Sequence, residues 1–547
     1  MRKISIYTTI SLWVAVLGMP SIVHAQFLDY GTDPSRLKWN QVALEHYSLI
    51  YPQGLDSMAY RYALYLENVY PHLMKTIGQP VKMSFPVVLH PASMIANGMV
   101  SWSPRRMELL TTPSYSQEAE RWDKHLVTHE SRHVLQTGKL MRGVFRPLYY
   151  LMGEQAAGVS SVFVPRWFFE GDAVGMETAL TEGGRGRLPE FQMVYKAQLL
   201  SAKGYSFEKW YLGSYKDYTG DFYAFGYNLT SFARYKYGAD IWERTTSRYI
   251  HHPFALPPFS KAFKHHTGIG FDQLFKDTYA YLRKEWESRD TGYDSPLYLS
   301  PPSKQYTSYK YPQAWKDSSL IALKTSLSDL PSLVALSKGS EQHLSYLGSI
   351  NGRIVLHKER VYWLEHLSSI RWTHESHTVI KYYDLTSRRI RTLTPRRRYI
   401  AFALSDSTIA ASLFTEEGES RIALIAKESG QEYKQYPTPG NVFIKDLAMG
   451  GKDTLYTLAV GEEGISLLLL NMQTGQWEEL LQPTSANLTS PVYQDGRLFF
   501  ESGLEGSNNL YCLDSSSRKA YRLSSARFGA FHPALSHGGK ELLFSDY

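Results

Sequence analysis

The stretch Val379-Ile-Lys-Tyr-Tyr-Asp-Leu-Thr-Ser-Arg-Arg-Ile-Arg-Thr-Leu-Thr394 reads as a strand, two or three turn residues and a second strand. Turns of the same kind fall at Gly339, Ser387, Gly430, Gly475 and Ser516, separated by 48, 43, 45 and 41 residues. Most of them follow an apolar strand, such as Leu467-Leu-Leu-Leu-Asn471 or Asn509-Leu-Tyr-Cys-Leu513. A repeat of this length built from short antiparallel strands predicts the blades of a β-propeller over residues 313–547. The spacing predicts about six blades, the last incomplete. The sixth copy stops at Tyr547, one strand into its blade, so either the terminal strands complete the first blade or the chain continues, and continuation is the expectation.

Upstream the period changes. From Phe27 to Asp290 helical patterns dominate, as in Asp56-Ser-Met-Ala-Tyr-Arg-Tyr-Ala-Leu-Tyr-Leu-Glu-Asn-Val-Tyr-Pro-His-Leu-Met74, where apolar residues recur at three and four. Strand-like runs at Tyr47–Tyr51 and Met83–His90 flank that helix, so residues 26–290 read as a mixed α+β domain. A stretch rich in Ser, Pro and Tyr makes residues 291–312 a linker. The chain is therefore multi-domain, α+β followed by all-β.

The first 25 residues carry Arg2 and Lys3, an apolar run to Leu17 and Val23-His-Ala25, which predicts an export signal cleaved before Gln26. The expected destination is periplasmic or extracellular. No later run of apolar residues is long enough for a transmembrane helix. The sole cysteine, Cys512, lies in an apolar strand and reads as core, so no internal disulfide supports the exported chain. A balance of 59 Lys and Arg against 52 Asp and Glu gives +7, too small and too dispersed to indicate nucleic acid.

Chemistry concentrates in Trp122-Asp-Lys-His-Leu-Val-Thr-His129-Glu130-Ser-Arg-His133-Val-Leu-Gln136. A spacing of four puts His129 and His133 on one helix face, where two neutral imidazoles suit zinc and leave a position for water. Glu130, beside the first ligand, is placed as general base toward that water. The other reading is a surface helix carrying two histidines and an acid. Downstream, Pro165-Arg-Trp167-Phe-Phe-Glu170-Gly171-Asp-Ala173 places an acid after an aromatic cluster, which is either a helix-start carboxylate in the core or a third ligand.

Together these stretches resemble the gluzincin, or peptidase MA-like, group of zinc peptidases, in which Trp-x-x-Glu-Gly-x-Ala supplies the third ligand. The resemblance implies a zincin-like fold, one zinc ion per chain, and His129, His133 and Glu170 as its ligands. The family's Tyr-x-x-Gly element matches Tyr223-Ala-Phe-Gly226, which gives Tyr223 the role of oxyanion stabiliser. Tyr223 could equally be one packed side chain among the 40 tyrosines. Met99–Leu110 looks like the family's edge strand, able to hold an extended peptide. The propeller resembles the Tol type more than the WD-repeat type, because no Gly-His or Trp-Asp signature occurs.

Two departures shape the expected activity. Between His133 and Glu170 lie 36 residues, so a segment around Leu140 to Ser161 must loop away or lid the cleft. Phe225 replaces the lysine usual before that glycine and no Gly-x-Met-Glu-Asn stretch is present, which favours an endopeptidase over an exopeptidase. The expected function is thus an exported zinc endopeptidase acting on a peptide or protein, with a possible protein or glycan partner on the propeller. The alternatives are a catalytically silent envelope scaffold, and a zinc hydrolase acting on a non-peptide amide. Arg388, Arg389, Arg391, Arg396, Arg397 and Arg398 form a basic cluster expected to be a solvated face.

Overall fold

The computed structural model describes residues 31–547 except 81–83, 117, 203, 317, 318, 452, 495, 515, 516 and 537. The export signal expected over residues 1–25 lies outside them. No helix of the described residues is long and apolar enough to cross a membrane.

The N-terminal half is built on a five-stranded sheet of β1 (Trp39–Ala43), β2 (Tyr47–Pro52), β3 (Phe85–His90), β4 (Gly98–Trp102) and β5 (Arg105–Leu110), in the order β1-β2-β3-β5-β4. β2, β3 and β5 run parallel, while β1 and β4 are antiparallel to their neighbours. A parallel pair needs a crossover. Helix α1 (Asp56–Met74) provides it between β2 and β3, burying Met58, Ala59, Tyr62, Leu66, Tyr70 and Leu73 at the helical period read from the sequence. Helices α2 (Trp122–Leu140), α3 (Arg166–Leu180), α4 (Pro189–Ser201), α5 (Phe222–Tyr237), α6 (Ile241–His251) and α7 (Phe271–Glu287) complete the domain. Their core is aromatic: Trp167 meets Phe225, Trp242 and Phe271 edge-on, with ring centroids 5.0 to 6.5 Å apart.

The second half is a β-propeller. Five four-stranded antiparallel sheets follow one another at residues 307–346, 350–392, 399–437, 443–484 and 488–522. A two-stranded sheet, Ala530–Leu535 with Leu542–Asp546, follows and lies against the first blade, where Ser545 Oγ donates to the Tyr309 carbonyl at 2.7 Å. The propeller therefore has five blades, against the expectation of about six with the last incomplete. Periodicity finds strands and turns, but a blade exists only where four strands hydrogen-bond together. The first blade begins at Thr307, inside the stretch expected as linker. Of the turns read from the sequence, Gly339, Ser387, Gly430 and Gly475 all join the third strand of a blade to its fourth, and Ser516 lies outside the described residues.

The first strand of each sheet is interrupted by a register shift at a comparable point, for example between Lys310 and Gln313 and between Asn351 and Ile354. At four of these bulges a residue has positive φ: Tyr311 (54°), Gly352 (79°), Ser490 (51°) and His532 (57°). Such conformations persist only where surrounding packing over-determines them. Here the bulges crowd round the propeller axis, and Tyr311 and His532 pack together with ring centroids 4.0 Å apart. Arg353 extends from the second blade across the axis. Its guanidinium donates to the carbonyls of Phe402 (3.1 Å), Leu447 and Pro491 (2.9 Å), on the third, fourth and fifth blades. It separates a cavity of about 220 Å³ beneath the N-terminal domain from one of about 380 Å³ beyond, both lined by Tyr311, Arg353, Ser490 and His532.

The two halves dock through polar groups. Arg398, at the start of the third blade, is buried and donates to the carbonyls of Pro91 and Ala92, both at 2.9 Å, and to Thr112 Oγ1 at 2.7 Å. That corrects the reading of the arginine cluster as a solvated face: Arg388, Arg389, Arg391, Arg396 and Arg397 are exposed, whereas Arg398 is an interdomain clamp. Glu190, in the first turn of α4, accepts from Asn487 (3.1 Å) and Asn508 (2.6 Å) of the propeller.

Candidate active site

Helix α2 runs through the middle of the N-terminal domain. Leu126, Val127 and Leu135 enter its core, and His125, His129, Glu130, Ser131, Arg132 and Gln136 are buried as well. The reading of this segment as a solvated surface helix is thereby excluded. α3 packs against it and brings Glu170 over the two histidines. His129 Nε2 lies 3.2 Å from His133 Nε2, and Glu170 Oε2 lies 3.4 Å and 3.2 Å from them. Tetrahedral ligands at bonds of about 2.0 Å have mutual distances of about 3.3 Å, so the three atoms have the spacing zinc requires. Glu170 Oε2 is a buried oxygen with no hydrogen-bond donor among the described residues, an acceptor that a cation could satisfy. Although burial works against its charge, the adjacent imidazoles hold the Glu170 carboxyl below the ordinary carboxylate range.

Behind these three stands a supporting layer. His129 Nδ1 lies 2.9 Å from Glu177 Oε2, which puts the proton on Nδ1 and frees Nε2 to face the other donors. Glu177 is fully buried and gripped by Arg185, whose Nε and Nη2 donate at 2.6 and 2.9 Å. His133 Nδ1 lies 2.8 Å from Gln136 Oε1, and the Gln136 amide donates to the Phe169 carbonyl and to Asp172. Buried Asp172 is in turn held by Arg132 and Arg234.

Glu130 faces the same cavity, of about 650 Å³, whose wall includes Gly98, Met99 and Val100 of β4. Gly98 is required there: a methyl group on it would stand 2.9 Å from Glu130 Oε1 and 2.5 Å from Leu126. Burial pushes the Glu130 carboxyl up; the two imidazoles oppose the shift and Glu170 adds to it. Tyr223 enters from the first turn of α5, its ring centroid 6.2 Å from that of His129. The Asp221 side chain caps that helix, accepting from the Ala224 amide at 2.9 Å. Burial, with Glu170 and Glu130 adding to it and Arg185 opposing, pushes the Tyr223 hydroxyl up to about 12, so it stays a protonated donor at neutral pH.

No protein-family model and no curated protein matches the chain. Among solved structures, partial likenesses include the nidogen/laminin complex at 13% identity and TM-score 0.29, covering 39% of this chain and 78% of that one. The uncomplexed Pyrococcus horikoshii acylaminoacyl peptidase has 11% identity and TM-score 0.32, over 43% of this chain and 41% of that one. The β-propeller domain of the Trilobed protease from Pyrococcus furiosus has 9% identity and TM-score 0.29, over 41% and 88%. Likenesses at this level carry no argument about activity, which rests on the site itself.

All five residues singled out in the sequence, His129, Glu130, His133, Glu170 and Tyr223, line one cavity. Of the residues between His133 and Glu170, Thr137, Arg166 and Phe169 line it too, whereas the stretch around Leu140 to Ser161 packs away from it, with short helices at Arg146–Met152 and Ala156–Ser161. Glu154 there accepts from the Arg105 amide at 2.8 Å, beside the turn joining β4 to β5. The sequence reading missed Glu177 and Arg185. Glu177 carried a usable signal, since seven residues after Glu170 is two helical turns on the same face. Arg185 carried none. Cys512 is buried as expected, and Asn487, seen only as part of an Asn-x-Thr triplet, binds Glu190 and Lys445 at the domain interface.

Proposed function

We propose that the N-terminal domain is a zinc-dependent peptidase of the gluzincin kind. The observation that carries this reading is the convergence of His129, His133 and Glu170 at tetrahedral spacing, with Glu130 beside them on the same cavity. These three side chains would hold one zinc ion. Bound there, zinc supplies Lewis acidity toward a scissile carbonyl and makes a neighbouring water more acidic.

The protein's own groups do the rest. Glu130, pushed above its ordinary value, accepts the proton of the attacking water and returns it to the leaving nitrogen as the carbon–nitrogen bond breaks. Tyr223 donates a hydrogen bond to the oxygen on which negative charge develops. β4 is the edge of its sheet and forms one wall of the cavity, so an extended peptide can pair with its main chain. This arrangement suits an endopeptidase, since it needs no anchor for a chain terminus.

The test is hydrolysis of a mixed peptide library by the wild type and Glu130→Gln, with zinc quantified in both. A loss of about 10²-fold or more in kcat with zinc retained is expected. Equal turnover in the two proteins removes the mechanism, and no turnover in a zinc-loaded wild type favours the silent scaffold.

A further inference from the structure

A second convergence of metal-binding side chains lies about the docking of the two domains, away from the catalytic cavity. Asp33 belongs to the segment preceding β1, His90 ends β3, and His374 sits in the connection between the second and third strands of the second blade. His90 Nδ1 lies 3.0 Å from both carboxylate oxygens of Asp33, and His374 Nδ1 lies 3.3 Å from Asp33 Oδ2. The imidazole rings lie with centroids 4.1 Å apart and planes tilted by 53°. Both histidines are buried, and Asp33 keeps 19% of its side-chain surface, which leaves an approach for an ion and its water.

We propose that Asp33, His90 and His374 form a structural binding site for a divalent transition-metal ion of the zinc class, which staples the peptidase-like domain to the propeller. Two imidazole nitrogens and one carboxylate oxygen are the donor set such ions select. The Asp33–imidazole separations of 3.0 and 3.3 Å match the roughly 3.3 Å edge of a tetrahedral shell, and one donor atom from each of the three residues lies within 4.8 Å of the others. The supporting layer is also present. His90 Nε2 lies 2.9 Å from Glu108 Oε2, a charge contact outside hydrogen-bond geometry, and a carboxylate at that distance still favours the proton on Nε2 and leaves the Nδ1 lone pair for Asp33 and His374.

The backbone fixes this geometry from both sides. The Thr32 amide donates to Thr373 Oγ1 at 2.6 Å, and the His374 amide donates to the Thr32 carbonyl at 3.1 Å. Two residues further along both segments, the Ser376 amide donates to the Ala92 carbonyl at 3.2 Å. The site thus gathers three pieces of chain that are distant in sequence, and an ion there stabilises the docked state by its full binding free energy. It would take no part in hydrolysis.

The experiment uses the full chain incubated with Zn²⁺, desalted and analysed by elemental mass spectrometry, for the wild type, Glu170→Ala, His374→Ala and the double variant. The wild type should hold about two zinc ions, each single variant about one and the double variant none. Zn²⁺ should raise the Tm of Glu170→Ala by several degrees and leave that of the double variant unmoved. A zinc-free Glu170→Ala, or a His374→Ala protein holding as much zinc as the wild type, overturns the proposal and leaves Asp33, His90 and Glu108 as an ion-paired triad. If His374→Ala does not fold, His374→Gln and Asp33→Asn answer the same question. Because the two clusters are emptied by different substitutions, failure at one is read separately from failure at the other.

Discussion

Gly171 and Gly226 meet backbone against backbone where α3 crosses α5. A methyl group on Gly171 would fall 2.0 Å from the Gly226 carbonyl carbon, and one on Gly226 would fall 1.9 Å from the Trp167 carbonyl oxygen. Glu170 adjoins the first glycine and Tyr223 precedes the second by three residues, so this contact sets how closely ligand and hydroxyl approach. Gly226→Ala must push the helices apart. It should cost about 1–3 kcal/mol by denaturant unfolding and lower kcat more than it raises KM.

Glu177 fixes the ring of His129 through the nitrogen that faces away from the proposed zinc. Glu177→Gln weakens that acceptor while keeping the side-chain volume. Zinc affinity, measured by competition with a chromophoric chelator, should fall about 10–100-fold with the circular dichroism spectrum unchanged.

Tyr223→Phe removes one hydroxyl from the cavity and leaves the ring in place. If that hydroxyl meets the developing oxyanion, kcat should drop by about 10²–10³-fold with KM and bound zinc little altered. A fall in zinc content instead would mean that Tyr223 supports Glu170 rather than the reaction.

A pH dependence is expected from the propeller, through a buried carboxyl on its fifth blade. Burial raises the Glu501 carboxyl from 4.5 to about 6, against hydrogen bonds from Ser490, Thr489 and the His532 amide. Between those values the folded chain holds a proton that the unfolded chain has released, so the contribution of Glu501 is greatest below pH 4.5 and is lost as pH rises through 6. The full effect is about 2 kcal/mol. In Glu501→Gln, urea midpoints measured from pH 4.5 to 7 should lose this component of their downward slope.

That His129, Glu130, His133, Glu170 and Tyr223 would come together was legible because local geometry writes it into the sequence. Helical spacing alone aligns His129 with His133, whereas the glycines after Glu170 and Tyr223 entered the sequence reading only as members of two motifs, and the close helix crossing they mark is visible only in the structure. The partners of those residues were not legible, since Arg185 reaches Glu177 only through the loop that follows α3. The same holds for Arg398, whose neighbours in sequence are exposed arginines and whose partners lie about 300 residues earlier. The blade period was visible and an incomplete last unit was expected, but a count of about six blades was too high, because the last two strands share their repeat with the others without acquiring a third and fourth partner among the described residues.

Arg353 gives the propeller a hub. A ring of sheets with an open axis can admit a thread or breathe blade by blade, whereas here one side chain from the second blade is tied to carbonyls on the third, fourth and fifth. Nothing chain-sized can pass along the axis while those bonds hold. If the cavity holding His129, Glu130 and Tyr223 works as proposed, its substrate arrives from the flank, along β4, and the propeller is a rigid bed for the N-terminal domain rather than a sieve in front of it.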